Sequence, residues 1–529
     1  MKRGGPAQAG VGAAAGRNPP SPTTEGRGQR PLLRFLAAAV LGVATTLAFA
    51  PFGYAPLAPL ALAILFWLAR PLAPRRAFLL GWCYGIVHFG SGIYWVYIST
   101  HIYGGAPAWL GALMGATLFA VLGLFPALVL GVAAGFRLWQ RPAGWVGVPA
   151  LWLLGELLRG WVYSGFPWLS LGYVTTDLSL NRLAPLVGVH GISALLAALA
   201  YALSRLASNS RIEQLRAAAL VAFLGGASLL LPAATHWTRD SGAPLDVAII
   251  QGNIAQDQKW QKEMQEPTLR RFHDMTLAAK DADLIVWPEV ALTPLYHQVR
   301  ESYLEPLGEE VRAAGGGTLL AGIVVLNAEP KGYYNSVIAL GASGGRFDKR
   351  HLVPFGEYFP IPAWLRPIMD VLGTPYSDFL VGAEQQAPIV VKGQRLGVSI
   401  CFEDVFGSEL RRDARDAGLL VNVTNDAWFG RSPAAWQHLQ IARMRALENG
   451  RPFVRAANTG ISAVIGPDGG LQAHAGHFTT EILRASVQPR TGVTPYGRWG
   501  NAPLWGLALA MLLALIVLHR RALVRGRSA

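Results

Sequence analysis

Three residues of different types, each at or beside the end of a short apolar run, could together perform nucleophilic chemistry. Glu289 ends the run "VWPE", Lys349 lies in "FDKRH", and Cys401 follows "LGVSI". A thiol is a poor nucleophile until a base removes its proton or a cation stabilises the thiolate. Glu289 could supply the base, and Lys349 a fixed positive charge for the thiolate and for a developing oxyanion. The three residue types therefore indicate a cysteine nucleophile that attacks a carbonyl group.

Each of these residues also has an ordinary structural interpretation when it is taken alone. A free cysteine is usually buried as a small apolar residue. A glutamate after a strand often caps a helix, and a lysine beside other charges is usually solvated. The chain has only one other cysteine, Cys83, so no disulfide framework is predicted. The combination of the three residues indicates chemistry, whereas no single one does.

The runs that carry these residues belong to a region of alternating strand and helix patterns. Alternation of short β-rich runs with helices is typical of an α/β domain whose sheets are covered by helices. We therefore predict one such domain over residues 244–490. The predicted strands are 246–251, 284–289, 318–326, 334–340, 396–403, 419–425 and 461–467, and the predicted helices are 264–280, 302–314 and 435–448.

The remainder of the chain has the composition of a membrane protein. Hydrophobic residues make up 52% of the 529 residues and charged residues 15%, which is too apolar for an ordinary soluble enzyme. Because about 20 apolar residues cross a bilayer, we predict a seven-helix transmembrane domain over 31–235 and an eighth span after the α/β domain. We interpret the first span as retained, not as a cleaved signal peptide. The eight predicted spans are 34–51, 54–70, 77–98, 107–136, 145–162, 183–205, 215–233 and 502–519.

The basic residues predict the orientation of these spans. Arginine and lysine are concentrated in both tails and in alternate loops, such as the loop with Arg70 and Arg75. By the positive-inside rule these tails and loops are cytoplasmic, which places residues 236–500 outside the cytoplasm. Residues 1–30 are predicted to be a disordered cytoplasmic tail, and residues 520–529 a basic cytoplasmic tail. The net charge of +14 is explained by this asymmetry, so we expect a lipid bilayer and no nucleic acid as partner.

Glu289, Lys349 and Cys401, spaced by 60 and 52 residues, resemble the catalytic triad of the carbon–nitrogen hydrolase (nitrilase) superfamily. Such a domain between seven spans and one closing span resembles one family, the apolipoprotein N-acyltransferases, over nearly the whole chain. The segments that carry the resemblance are "QGNIAQDQKW", "HLVPFGEYFP", "NVTNDAWFG" and "RAANTGISAVI". The resemblance implies a multi-pass α-helical membrane domain of about eight spans plus an α/β nitrilase-like αββα sandwich. We expect no cofactor and no metal ion.

The resemblance also implies roles for residues around the triad. Glu357 and Glu403 would support it, and Trp260 would lie in the substrate cavity. At Phe402 the chain departs from the family, which often has tyrosine after the nucleophile, and only a fine contact is affected. The amide N–H of Phe402 is a candidate second donor to the oxyanion.

Two apolar segments could form a lipid-facing mouth beside the site. One is 358–373, which contains Trp364, and the other is 426–430, which contains Trp428. Exposed aromatic side chains are favoured at bilayer interfaces. Ordinary core packing is an equal alternative for each segment.

The reaction that the resemblance implies has two steps. Cys401 would take an acyl chain from a membrane phospholipid as a thioester, and the α-amine of the S-diacylglyceryl cysteine of an apolipoprotein would then receive it. This reaction would complete lipoprotein maturation at the bacterial inner membrane, with the catalytic domain on the periplasmic side. A site for such an intermediate must exclude water, because hydrolysis would waste the thioester.

Two other classes of function remain open from the residues alone. One is a membrane-tethered amidase or nitrilase for small molecules, although eight spans exceed what an anchor needs. The other is a non-catalytic transport or lipoprotein-binding membrane protein. Glu156 and Arg159, three residues apart in the fifth span, could pair with each other, and an intramembrane charge is a functional candidate. A packing role for this pair is equally compatible with the sequence.

Overall fold

The computed structural model describes Met1 and residues 24–230, 234–359 and 379–527. A helical body comes first, an α/β domain follows, and a long helix ends the chain. The first helix begins at Thr24, within the tail predicted over residues 1–30. The rest of the predicted tail, apart from Met1, lies outside the described residues.

The helical body has seven helices of more than ten residues among the residues described before position 231. Each of the seven spans predicted there falls on one of these helices. The eighth predicted span falls on the C-terminal helix, Ala502–Arg527, which continues through most of the predicted basic tail. The seven are α1 (Thr24–Thr46), α2 (Leu57–Ala69), α3 (Pro74–Gly92), α4 (Ala108–Gly135), α5 (Gly144–Arg159), α6 (Ala184–Leu206) and α7 (Arg211–Leu230).

Judged by length and hydropathy alone, only some of these helices could cross a bilayer. Among the described residues three helical segments meet both criteria, namely Ala108–Gly135, Ser179–Leu206 and Ala502–Arg521. Helix α3 and the helical turn Trp95–Tyr103 meet them together, with a bend of 55° between them. The helical body therefore has a few apolar helices suited to a membrane, and the number of eight spans stays a prediction.

The α/β domain contains two six-stranded sheets. In each sheet three parallel strands are flanked by antiparallel ones, in the orders β12-β1-β2-β3-β4-β5 and β11-β10-β9-β8-β7-β6. The first sheet consists of β1 (Leu245–Gln251), β2 (Leu284–Val286), β3 (Thr318–Asn327), β4 (Gly332–Gly341), β5 (Gly345–Asp348) and β12 (Glu481–Val487). The second consists of β6 (Val390–Val391), β7 (Gln394–Ile400), β8 (Leu419–Thr424), β9 (Phe453–Ala457), β10 (Ala463–Ile465) and β11 (Leu471–His474).

The two sheets pack face to face and helices cover their outer faces. Val247 and Val286 of the first sheet share one buried core with Val398 of the second. Helices α8 (Gln265–Leu277) and α9 (Glu305–Gly315) contribute to a separate core on the first sheet. Helices α10 (Gly407–Ala414) and α11 (Ala434–Asn449) do the same on the second. These four layers are the predicted αββα sandwich, because strands that are apolar on both faces need cover on both sides.

Helix α11 joins the α/β domain to the helical body. Nearly all of its residues are buried, since it packs against the second sheet and against α6. The side-chain oxygen of Gln437 accepts hydrogen bonds from the indole N–H of Trp95 at 3.3 Å and of Trp168 at 2.8 Å. The Glu448 carboxylate accepts the backbone N–H of Val189 at 2.8 Å. A buried polar joint of this kind fixes how the two parts are oriented.

Glu156 and Arg159 do not form the ion pair predicted for them. The Glu156 carboxylate accepts the backbone N–H of Leu171 at 2.9 Å and lies 3.5 Å from Nδ1 of His190. Arg159 donates to the carbonyl oxygen of Trp168 at 2.5 Å. Both side chains therefore hold the chain segment between α5 and α6, which is the packing role.

Candidate active site

The strands of the α/β domain bring Glu289, Lys349 and Cys401 to one site. Each of the three follows the carboxyl end of a strand: Lys349 directly follows β5, Cys401 directly follows β7, and Glu289 lies three residues beyond β2. The predicted strands 284–289 and 396–403 are too long, because β2 ends at Val286 and β7 at Ile400. The three candidate side chains therefore lie in the segments that follow the strands, where their direction is not set by the strand pleat.

Lys349 is 1% exposed and is held between two carboxylates. Its Nζ lies 3.4 Å from Oε1 of Glu289 and 2.9 Å from Oε1 of Glu357. The side-chain amide of Asn335 donates to the same two oxygens, at 2.7 Å and 3.0 Å. The backbone N–H of Val353 donates to the other Glu357 oxygen at 2.9 Å. Glu357 thus anchors the ammonium group to the loop that follows Lys349.

The charge of this lysine is fixed by its neighbours. Burial alone would favour the neutral amine. The carboxylates of Glu357 and Glu289 outweigh that effect and raise the pKa of Lys349 above its usual value. The ammonium group is therefore a permanent positive charge at neutral pH.

Cys401 lies at a sharp change of chain direction. It begins the 3-10 turn Cys401–Val405 with a φ of +53°, in the left-handed region that a residue with a side chain rarely occupies. The side-chain amide of Asn422 donates to the carbonyl oxygen of Cys401 at 3.2 Å. Such a conformation costs about 1–3 kcal/mol and persists only where surrounding contacts enforce it, often at functional sites.

The thiol of Cys401 is protonated in the resting site. Burial raises its pKa well above the usual value, and the negative charge of Glu289 raises it further, while Lys349 acts in the opposite direction. The thiolate must therefore form during the reaction, by transfer of the proton to a base. Glu289, whose charge acts on the thiol, is the candidate base.

Glu403 supports the site through the backbone. One carboxylate oxygen accepts the N–H groups of Arg350 at 2.6 Å and His351 at 3.1 Å, and the other accepts the N–H of Ile400 at 2.7 Å. It therefore ties the segment after Lys349 to the turn that contains Cys401. Burial raises the pKa of Glu403, although these three N–H groups favour its ionised form.

The aromatic residues predicted to contact substrate differ in their placement. Trp260 is 58% exposed and Trp428 is 38% exposed. Phe402 is buried, and its ring centre lies 6.3 Å from that of Trp168 in the helical body. Trp364 lies outside the described residues, as does most of the segment 358–373.

The second predicted segment, 426–430, is divided between surface and interior. Trp428 faces outward, while Phe429 packs against Trp95 of the helical body with ring centres 4.5 Å apart. The hydroxyl of Ser99 donates to the carbonyl oxygen of Trp428 at 2.9 Å. The segment is therefore attached to the helical body on one side and exposed on the other.

Sequence reasoning missed two residues of the site. Asn335, which bridges the two carboxylates, was part of a predicted strand and was not singled out. Lys259 is 3% exposed, and burial lowers its pKa to about 8, although the charge of Glu289 acts in the opposite direction. Its ammonium group has no hydrogen bond or ion pair with any described residue. The signal for Lys259 was its position beside Trp260 in "QDQKW".

Two family models match the chain in the order of its two structural parts. Residues 41–202 match the apolipoprotein N-acyltransferase N-terminal domain, and residues 246–496 match the carbon-nitrogen hydrolase family. Among the described residues no group of three or more His, Cys, Asp or Glu side chains could hold a metal ion. The α/β part is thus a carbon–nitrogen hydrolase domain attached to a helical body.

Relatives match over nearly the full length of the chain. The apolipoprotein N-acyltransferase of Methylococcus capsulatus is 43% identical, covering 91% of this chain and 95% of the relative. That of Chromobacterium violaceum is 41% identical, covering 96% and 98%. The solved structure of Saccharomyces cerevisiae Nit3, a nitrilase-superfamily member, has 21% identity and a TM-score of 0.37, covering 47% of this chain and 93% of that one.

The chain belongs to the apolipoprotein N-acyltransferase family. The resemblance stated from the sequence is confirmed, and so is the expectation of an N-acyltransferase. Membership of this family disfavours both the small-molecule amidase and the non-catalytic membrane protein.

Proposed function

We propose that this enzyme transfers a fatty acyl chain from a membrane phospholipid to the α-amine of the N-terminal S-diacylglyceryl cysteine of apolipoproteins, with Cys401 as the acyl carrier. Lipoprotein N-acylation follows from the family, because the relatives that match this chain are named for that activity. The observation that carries the mechanism is the buried Lys349 ammonium, held by Glu289 and Glu357 beside a protonated thiol.

In the first step Cys401 is acylated. Glu289 takes the thiol proton as Sγ attacks the ester carbonyl, and the Lys349 ammonium stabilises the oxyanion of the tetrahedral intermediate. The amide N–H of Phe402 is the proposed second donor. The carbon–oxygen bond of the ester then breaks, and Glu289 returns the proton to the leaving alkoxide. The products are a lysophospholipid and a thioester on Cys401.

In the second step the acyl chain passes to the amine. The α-amine attacks the thioester carbonyl, Glu289 takes a proton from the nitrogen, and Lys349 again stabilises the oxyanion. The carbon–sulfur bond breaks as the amide forms, and the proton goes to the sulfur. The same three side chains thus serve both half-reactions, and the enzyme returns to its starting state.

A membrane body is suited to this chemistry because donor and acceptor are both lipids. We place the eight spans in the bacterial inner membrane, with the α/β domain on the periplasmic side, on the basis of the basic tails and loops. Exposed apolar side chains along the long helices, such as Leu113 and Leu128 of α4 and Leu509 of the C-terminal helix, support contact with lipid. Trp260 and Trp428 are the proposed aromatic contacts for acyl chains at the mouth.

The acyl-carrier role predicts a covalent adduct on one cysteine. Purified enzyme incubated with phospholipid vesicles should gain the mass of one acyl chain on Cys401, and neutral hydroxylamine should release it. Cys401→Ala should gain no mass and form no N-acylated lipoprotein. Intact-mass spectrometry with peptide mapping measures the adduct, and a gel-shift assay measures transfer.

Variants of the other two residues should fail at or before acylation. Glu289→Gln and Lys349→Ala remove the base and the oxyanion cation, so the adduct should not accumulate. Cys401→Ser should be nearly inactive, because an alcohol loses its proton far less readily than a thiol. Cys83→Ala is the matched control: it also removes a cysteine, and it should keep both adduct and transfer. An active Cys401→Ala enzyme would exclude the mechanism.

A further inference from the structure

Four charged side chains that the proposed reaction does not use are buried next to the Cys401 turn. They are Asp404, Asp426, His438 and Arg455, none more than 2% exposed. His438 lies between the two carboxylates, with Nε2 at 2.8 Å from Asp404 and Nδ1 at 2.9 Å from Asp426. Arg455 contacts the same two carboxylates, at 3.4 Å and 2.8 Å. Pairing of this kind offsets the cost of burying the four charged groups.

This geometry requires that His438 carry both of its ring protons. A neutral imidazole has one donor and one acceptor nitrogen, whereas a carboxylate only accepts. Burial and Arg455 disfavour the charged ring, but Asp404 and Asp426 outweigh them and raise the pKa of His438. Two carboxylates, one guanidinium and one imidazolium then give a cluster with no net charge. The nearest aromatic neighbour is the ring of Trp168, whose centre lies 5.3 Å from that of His438.

The cluster connects the thiol to the rest of the molecule. Asp404 belongs to the 3-10 turn that Cys401 begins, and Asp426 opens the segment that exposes Trp428. Arg455 also donates to Asn422 at 3.1 Å, and Asn422 in turn holds the carbonyl oxygen of Cys401.

On the other side the cluster reaches the helical body. His438 lies on α11, next to Gln437, whose side chain accepts from two tryptophans of that body. One helix therefore contacts the thiol turn, the exposed segment 426–430 and the helical body through adjacent residues.

We propose that His438, as an imidazolium between Asp404 and Asp426, is a positioning residue that holds the Cys401 turn and the Trp428 segment together and balances the charge beside the thiol. This inference rests on the proposed function of Cys401 as acyl carrier. The left-handed conformation of Cys401 needs contacts that enforce it, and the cluster supplies such contacts. The thiol must also lose its proton during the reaction, so an unbalanced negative charge beside it would slow the attack.

Charge variants of the cluster should move the reactivity of the thiol in opposite directions. In a Cys83→Ala background, the rate of Cys401 alkylation by iodoacetamide is measured from pH 6 to 11 by intact mass. His438→Gln leaves one net negative charge, so the profile should move to higher pH and the rate at pH 8 should fall about tenfold. Asp404→Asn leaves one net positive charge, so its profile should move to lower pH. The double variant restores neutrality and should return towards the parent profile.

Measurements of acyl-transfer kinetics and thermal unfolding distinguish a positioning role of His438 from a general loss of folding in the variant. His438→Gln should lower kcat for acyl transfer with little change in KM for the phospholipid, because the substrate does not touch the cluster. His190→Gln is the matched control: it removes a buried histidine beside a carboxylate of the helical body, and its alkylation profile should match the parent. If His438→Gln shows no thermal unfolding transition, the Asp404→Asn profile against the parent still decides the question.

Profiles that move in the same direction for both single variants, or that do not move in folded protein, would overturn the proposal. Alkylation needs no turnover, so this test reads the environment of the thiol directly. Failure of the proposed function would appear separately, as an absent acyl adduct in the unmodified enzyme.

Discussion

Cys401 keeps its proton at rest, because burial and the carboxylate of Glu289 both raise the pKa of its thiol. A site that stored a thiolate would be open to oxidation and to attack by other electrophiles. In the proposed mechanism the thiolate forms only when Glu289 takes the proton, and the positive charge of Lys349 stabilises it at that moment.

Lys259 gives a prediction about stability and activity together. Its pKa of about 8 lies below the usual 10.5 because burial penalises the ammonium form. A lysine whose pKa is lowered on folding destabilises the folded state. This free-energy penalty has its full size below pH 8 and disappears as the pH rises to 10.5. Lys259→Met should therefore raise the thermal midpoint at pH 7, with a free-energy gain on the order of 3 kcal/mol as an upper value. The gain should vanish near pH 10.5.

The same variant should lose activity, because it removes a buried positive charge within electrostatic range of Glu289, the proposed base. Lys262→Met, an exposed lysine in the following turn, is the control and should change neither property. Thermal unfolding in detergent and acyl transfer are measured in parallel from pH 7 to 10.5. A lower thermal midpoint for Lys259→Met at pH 7 would contradict the prediction.

The candidate triad could be proposed from the sequence because its residue types, order and spacing are local properties of three motifs. Asn335 and His438 could not, because their roles depend on contacts with residues 46, 34 and 12 positions away. A single polar residue in a strand, or one histidine in a helix, carries no sign of such partners.

At the scale of elements, a buried charge explains why β9 was missed. In β7 and β8 every buried residue is uncharged, and the sequence predicts both strands. β9 contains the fully buried Arg455, which breaks the apolar pattern of a central strand. The end of β7 was predicted too late for a different reason: the left-handed φ of Cys401 stops the strand, and no property of cysteine signals it.

Helix α6 contains a break that gives a prediction about the joint between the two parts. Gly188 has a φ of +63°, and a Cβ there would lie 2.3 Å from a ring carbon of Tyr496. The next residue, Val189, donates its N–H to Glu448 of α11. Gly188→Ala should therefore destabilise the protein by about 2 kcal/mol or more, through backbone strain and the steric clash.

Gly226→Ala in α7 is the matched control, because a Cβ there would meet nothing within 4 Å. An alanine at this helical position should be neutral or slightly stabilising. Thermal unfolding of both variants in the same detergent compares them. Equal midpoints would show that the break in α6 is not required for the joint.

At the scale of the whole molecule, the sequence predicts an apolar stretch for each helix of more than ten residues described in the helical body, but not the number that cross the bilayer. Hydropathy depends on composition and is therefore readable without a structure. Helix length and bending are not: α2 has only 13 residues, and α3 is followed by a bend of 55°. Short helices can still cross a bilayer when the lipid thins or flanking residues reach the interface.

Topology reporters test the orientation and the number of spans together. A reporter active only outside the cytoplasm should be active when fused after residue 240 and silent when fused after Ala529, because the basic residues predict that both tails are cytoplasmic. A fusion in the loop between α1 and α2, near Gly53, tests most directly whether α1 crosses the bilayer. The apolar part of α1, Leu32–Thr46, is shorter than a usual span, so activity at Gly53 would show that α1 nevertheless crosses.

Fusions in the loops at Leu72 and Arg141 should be silent, and their protein levels, measured by immunoblot, control for degraded fusions. If the Gly53 fusion were silent while the fusion after residue 240 stayed active, α1 and α2 would form a re-entrant pair and the number of spans would fall to six. If the fusion after residue 240 were silent and the C-terminal one active, the catalytic domain would face the cytoplasm. In that case the proposed periplasmic acceptor could not reach Cys401, because the bilayer would separate them.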